Sequence, residues 1–168
     1  MVIGLFQIDL LKTELKTKLM QELTIKEFIE ELITLTGLEQ NEIADKMYLT
    51  QSSVWNFRKV GNPNLRIVQD LAGVILDTKG LALHILIGED KIRFQDFDYK
   101  MFHFTYGNGM SVLELKETAA MIGVNHNTLR TRLIRSSCSM KNLAEHLAGI
   151  GYEMIFELNG IKYNLTWK

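Results

Sequence analysis

The side chains best equipped for chemistry crowd together between positions 126 and 141. His126, Asn127, Arg130, Thr131, Arg132, Arg135 and Lys141 place hydrogen-bond donors and positive charge in one short stretch, with three arginines within six positions. An arginine fork can make a paired contact with guanine, and an asparagine amide can do the same with adenine, at the base edges of the DNA major groove. Arg132, Arg135 and Lys141 also suit phosphate oxygens, contacts that position a protein without specifying sequence. The plainer alternative is a basic helix face that does nothing but meet water. A second set, Gln40, Gln51, Ser52, Trp55, Asn56 and Lys59, offers similar polar chemistry around an aromatic ring.

No arrangement for catalysis emerges. Glu27, Glu30 and Glu31 fit a solvated helix face. His84, His103, His126 and His146 are scattered and, with the single Cys138, give no zinc spacing. A lone cysteine excludes an internal disulfide. Neither GxGxxG nor a P-loop is present, and no Ser/His/Asp ordering appears. The expectation is a protein without enzymatic activity, cofactor or metal.

The elements that must carry these residues come twice. Residues 38–87 and 113–158 each run in one order: a short helix containing Ala, a tight turn, a second short helix, a third helix and a β-hairpin. Glu42 to Val54 and Glu117 to Leu129 are the paired stretches, and both have the pattern of a helix-turn-helix. Thr24 with Glu27, and Ser111 with Glu114, are capping-box pairs that open helices. Gly37 suits a left-handed cap, Thr50 an N-cap, and Asn62-Pro63-Asn64 a turn that ends the preceding helix. A further helix is expected over 65–76 and another over 140–148. Strands are expected over 81–87 and 91–97 around Gly88-Glu89-Asp90. Two more are expected over 152–158 and 161–167 around Asn159-Gly160, a strong hairpin signal. Isolated hairpins leave sticky edges. The two are therefore expected to pair, either in one sheet joining the copies or between chains, rather than lie as separate flaps. Ile8, Leu11, Leu15 and Leu19 predict an amphipathic helix over 8–20. Residues 98–110 read as a short strand and a packed linker.

The second copy resembles the Cro/CI-like (XRE-type) helix-turn-helix regulators at the residues that define the motif. Ala119 is the small residue at the helix contact, Gly123 makes the turn, and Ile122, Val124 and Leu129 plug the space between helices. The resemblance implies a recognition helix over 126–135 with His126, Asn127, Arg130 and Thr131 toward the groove. The first copy is similar at Ala44, Leu49 and Val54, and Gln40 sits where such regulators hold a glutamine near a phosphate. Tyr48 departs from the pattern, occupying the turn position where Gly is usual. On this likeness Gln51 and Ser52 open a recognition helix that also carries Asn56 and Lys59. Trp55 falls on its outward face, suited to thymine methyls or to a protein partner.

Composition and charge bound the reading. Of 168 residues, 46% are hydrophobic and 23% charged, which suits a globular protein and argues against disorder. The net charge is −1, low for a nucleic-acid binder. It is unevenly spread: residues 1–110 hold 12 Lys/Arg against 15 Asp/Glu, and residues 111–168 hold 7 against 5. The second copy is thus the better DNA-binding candidate, and the acidic first copy suits a basic protein partner. No secretory leader is expected in residues 1–20 and no membrane-spanning run occurs, so the expected location is the cytoplasm.

The sequence therefore predicts a mainly α protein with β-hairpins (α+β): an N-terminal helix (1–23), a first helix-turn-helix module (24–97), a linker (98–110) and a second module (111–168). The expected function is double-stranded DNA binding as a phage or mobile-element repressor that occludes a promoter, acting as a homodimer or an intrachain pseudo-dimer. The alternative from another class is a protein-binding inhibitor on the same scaffold, such as an antirepressor or anti-CRISPR protein, or a bifunctional chain that also regulates its own promoter.

Overall fold

The structure, a computed structural model, describes residues 20–167. The helix read over 8–20 lies outside these residues but for its last position, which begins a strand. Strand β1 (Met20–Thr24) leads into α1 (Ile25–Thr36), α2 (Gln40–Lys46), α3 (Gln51–Val60) and α4 (Leu65–Lys79), followed by β2 (His84–Ile87) and β3 (Asp90–Arg93). A single 3-10 turn (Phe94–Asp96) precedes α5 (Tyr99–Tyr106), α6 (Val112–Ile122), α7 (His126–Arg135) and α8 (Met140–Gly149). Strands β4 (Ile155–Leu158) and β5 (Ile161–Thr166) complete the described chain. The fold is thus mixed, with eight helices and one five-stranded sheet among the described residues.

Local chemistry sets most helix ends. Thr24 and Glu27 form the reciprocal capping box, with Glu27 N donating to Thr24 Oγ1 at 3.1 Å and Thr24 N to Glu27 Oε1 at 3.0 Å. Thr50, Asn64, Asn125 and Ser139 each accept a backbone N–H at the start of the helix they precede. Ser111 accepts from Glu114 N, but the Glu114 carboxylate takes the Gly109 N–H at 2.8 Å, so only one arm of that expected box forms.

The two hairpins share one sheet in the order β1-β5-β4-β2-β3, with β2 antiparallel to β4. Alternate residues of the central strands, Ile85, Ile87, Phe156 and Leu158, are buried against the helices. Phe156 lies 5.0 Å from Phe28 and 4.9 Å from Phe94 between ring centroids, so α1 and both hairpins meet at one aromatic cluster.

Four expectations need correction. Residues 98–110, read as a strand and linker, instead hold the helix Tyr99–Tyr106. Asp98 caps it by accepting from Met101 N at 2.9 Å, and Tyr99, Phe102 and His103 turn one face into the core. Aromatic content favours strands only when a pleated partner is present, and here helical spacing wins. The strands are shorter than read: Phe94 to Asp96 leaves the ladder as the 3-10 turn, and residues 81–83 and 152–154 precede β2 and β4. Gln69 Nε2 satisfies the carbonyls of Phe94 and Phe97 at 2.9 and 2.7 Å, which stabilises that departure. Met20–Thr24, read as the end of a helical region, pairs parallel with β5. Glu30 is not a bystander on a wet face: it is half-buried and grips the Arg58 guanidinium through both oxygens, at 2.9 and 2.8 Å.

The halves also touch where α3 and α7 hand over to the next helix. Leu65 N donates to Cys138 O at 3.0 Å and Met140 N donates to Pro63 O at 2.9 Å, around an antiparallel bridge between Asn64 and Ser139. Ser137 Oγ donates to Asn64 Oδ1 at 2.8 Å, and Lys141 N to Asn62 Oδ1 at 2.9 Å.

Candidate nucleic-acid interface

Two helix pairs, α2–α3 and α6–α7, present the residues picked out from the sequence. Their turns are built alike. Leu49 N donates to Ala44 O at 2.9 Å in one, and Val124 N to Ala119 O at 3.0 Å in the other. Ala44 and Ala119 are buried where the helices approach, and Val54 and Leu129 are fully buried beneath the second helix of each pair. The turn residue is left-handed in both: Tyr48 at φ 56° and Gly123 at φ 74°. Only glycine adopts that region without a steric cost, so Tyr48 holds it under strain while its side chain is 96% exposed.

With the inner side of each helix plugged, the outer side is fixed by helical geometry. On α7 it carries Asn127, Arg130, Thr131 and Arg135, all exposed, while His126 is half-buried at the first turn. Neither Arg130 nor Arg135 enters an ion pair among the described residues. Arg132 faces another way. It is half-buried, and its charge acts on Tyr99, Cys138 and His146. That places it against the core of the second half, apart from the exposed stripe. Lys141 is exposed at the start of α8, its Nζ 4.0 Å from Glu145.

On α3 the corresponding stripe is Gln51, Ser52, Trp55, Asn56 and Lys59, all exposed. Lys59 Nζ sits 4.7 Å above the Trp55 ring, a cation–π contact that draws the ammonium over the indole. Gln40 is half-buried and engaged twice: Arg58 donates to its Oε1 at 2.9 Å, and its Nε2 reaches Gln51 O at 3.4 Å. Glu30, Arg58 and Gln40 thus form one chain of hydrogen bonds holding α1, α2 and α3 together. The Arg58 bonds hold the Glu30 carboxyl below its ordinary range and push the guanidinium up.

Three features were missed in the sequence. Ile134 and Val60 are exposed on the outer sides of α7 and α3, at 59% and 72%. Their helical offset from Arg130 and Asn56 was the available signal. A polar cleft of about 1010 Å³ opens between the halves, lined by Asp45, Tyr48, Arg66, Asp70 and Asp98, with Arg135 at its side. Only the tertiary arrangement brings those residues together. The third is a buried group in the second half. Tyr99 Oη is 2.6 Å from His146 Nδ1, with the His103 ring 5.5 Å away. Burial lowers the His146 imidazolium to about 4 and pushes the Cys138 thiol up to about 12. Cys138 is therefore a protonated core residue rather than a nucleophile.

Among the described residues, no helix is long and apolar enough to cross a membrane. No family model, curated protein or solved structure matches this chain.

Proposed function

We propose that this chain is a sequence-specific binder of double-stranded DNA. In this reading it is built from two tandem helix-turn-helix modules of the Cro/CI-like kind and regulates transcription by occluding a promoter. The observation that carries the reading is the outer stripe of α7. Asn127, Arg130 and Thr131 share one exposed face, and Arg130 has no ion-pair partner among the described residues. Such a face has the chemistry for base edges, and Lys141 adds charge for phosphates. With a whole-chain net charge of −1, phosphate attraction rests on the locally basic second half, residues 111–168, with 7 Lys/Arg against 5 Asp/Glu. The deciding experiment is a gel shift with the DNA upstream of its own gene at two salt concentrations. Affinity should fall steeply with salt while a preference over random DNA persists; equal binding to both DNAs, or none, sinks the proposal.

A second reading assigns the first half to a protein partner. Trp55, Tyr48 and Val60 are large exposed apolar side chains, and Glu39, Glu42 and Asp45 are exposed on the neighbouring α2 region. Exposed aromatics are favoured at protein interfaces. Trp55→Ala separates the two: unchanged DNA affinity with loss of a basic protein partner favours the second reading, and impaired DNA affinity favours the first.

A further inference from the structure

The contacts between the halves are reciprocal. Pro63 and Cys138 are 75 positions apart, as are Leu65 and Met140. The bond from Leu65 N to Cys138 O is therefore the counterpart of the bond from Met140 N to Pro63 O. The central sheet contact behaves likewise. Ile85 pairs with Phe156, flanked by His84 with Glu157 and Leu86 with Ile155; a shift of 71 positions maps each flanking pair onto the other. Each contact has local two-fold character, as an antiparallel pairing does, and the 75-position shift also carries the residue range of α3 (51–60) onto that of α7 (126–135). Duplex DNA has two-fold axes of its own, perpendicular to the helix axis, and these relate half-sites in inverted orientation.

The reach is suitable. Gly61 to Asn64 spans at most about 11 Å of chain, as does the equivalent segment from Ser136, and residues across an antiparallel bridge are about 5 Å apart. The midpoint of each ten-residue helix is about 7 Å further on. The helix midpoints can thus be up to about 40 Å apart, which includes the roughly 34 Å of one DNA turn. The outer sides of the two helices nevertheless carry different side chains at every equivalent position: Gln51 and the half-buried His126, Ser52 and Asn127, Trp55 and Arg130, Asn56 and Thr131, Lys59 and Ile134.

Resting on the DNA-binding reading above, we propose that the target is an imperfect inverted repeat bound by one chain. Its two half-sites differ in sequence and their centres lie one helical turn apart. The α7 half-site has a guanine opposite Arg130 and an adenine opposite Asn127. The α3 half-site is richer in A·T pairs, with thymine methyls against Trp55.

Selection of tight-binding duplexes from a library of random 30-base-pair DNA, using the full chain, tests this directly. The expected product holds two unequal motifs in inverted orientation, and native mass spectrometry of the selected duplex gives one chain per DNA. Arg130→Ala should flatten base preference in one motif only, and Trp55→Ala in the other; both side chains are exposed, and circular dichroism checks that each variant folds. Inserting five base pairs between the motifs puts the half-sites on opposite faces of the duplex, and affinity should fall at least tenfold. A perfect palindrome holding two chains, a direct repeat, or a single motif indifferent to Trp55→Ala overturns the inference and leaves DNA binding standing. Failure to enrich any duplex at low salt removes both.

Discussion

At the scale of single residues, four positions make separable claims. Tyr48 occupies a left-handed turn at φ 56° with its ring in solvent, so it contributes strain and little packing. Tyr48→Gly should stabilise the fold by about 0.5–1 kcal/mol, read as a higher denaturant midpoint at unchanged slope. Arg130 and Arg135 differ in where they stand on α7. Arg130→Ala should weaken specific DNA binding by about 1–3 kcal/mol and relax preference at one or two base pairs. Arg135→Ala should weaken all sequences alike and flatten the salt dependence, and wild-type affinity in both variants counts against the α7 assignment. His146 concerns pH. Its imidazolium is disfavoured chiefly by burial, and further by His103 and Arg132, with Tyr99 Oη bonded at Nδ1. The unfolded chain therefore takes up a proton near 6.5 that the folded chain refuses until about 4. Stability is full above 6.5 and falls as pH drops through that window, by at most about 3 kcal/mol. The carboxyls of Glu30 and Glu157, held below 4.5 by Arg58 and Lys91, lose their contribution only lower down. Thermal scans between pH 7 and 4.5 should show the decline in the native chain and a flatter profile in His146→Gln, which keeps a polar partner for Tyr99 without titrating.

At the scale of elements, the sheet is the joint on which the helices depend. Phe156 is fully buried where β4 meets Phe28 of α1 and Phe94 beyond β3. Phe156→Ala should cost about 3–5 kcal/mol, because the cavity has contributors from three elements that cannot all close in. A loss under 1 kcal/mol in urea unfolding would mean that the cluster is looser than its ring distances imply. Helix ends were legible because a cap is chemistry between near neighbours: Thr24, Thr50 and Gly37 act within a turn of their own position. The hairpin turns were legible for the same reason. Helix α5 was not, since Tyr99, Phe102, His103 and Tyr106 fit either an aromatic strand or a helical face. The choice was made by the second half's core, into which that face packs.

At the scale of the whole molecule, the halves share a sheet, a backbone bridge and a continuous core. Unfolding is accordingly expected as one cooperative transition, with calorimetric and van't Hoff enthalpies in agreement. Two resolved transitions would show that residues on either side of position 98 fold independently.

What the sequence determined by itself is what short-range chemistry controls: the helix caps, the turns at Tyr48 and Gly123, and the hairpin turns at Gly88 and Asn159-Gly160. It also put Asn127, Arg130 and Thr131 on one helix face, because 3.6-residue periodicity needs only the buried positions Leu129 and Leu133 to fix the outer side. Tertiary structure decided the rest. The parallel pairing of Met20–Thr24 with β5 joins segments at opposite ends of the described chain, and no local signal encodes a partner so distant. The inward turn of Arg132, the grip of Glu30 on Arg58 and the reciprocal bonds at Asn64 and Ser139 arise only when separate elements are pressed together. Which polar side chains remain free to meet a ligand is settled by those contacts, and residue type alone carries no record of them.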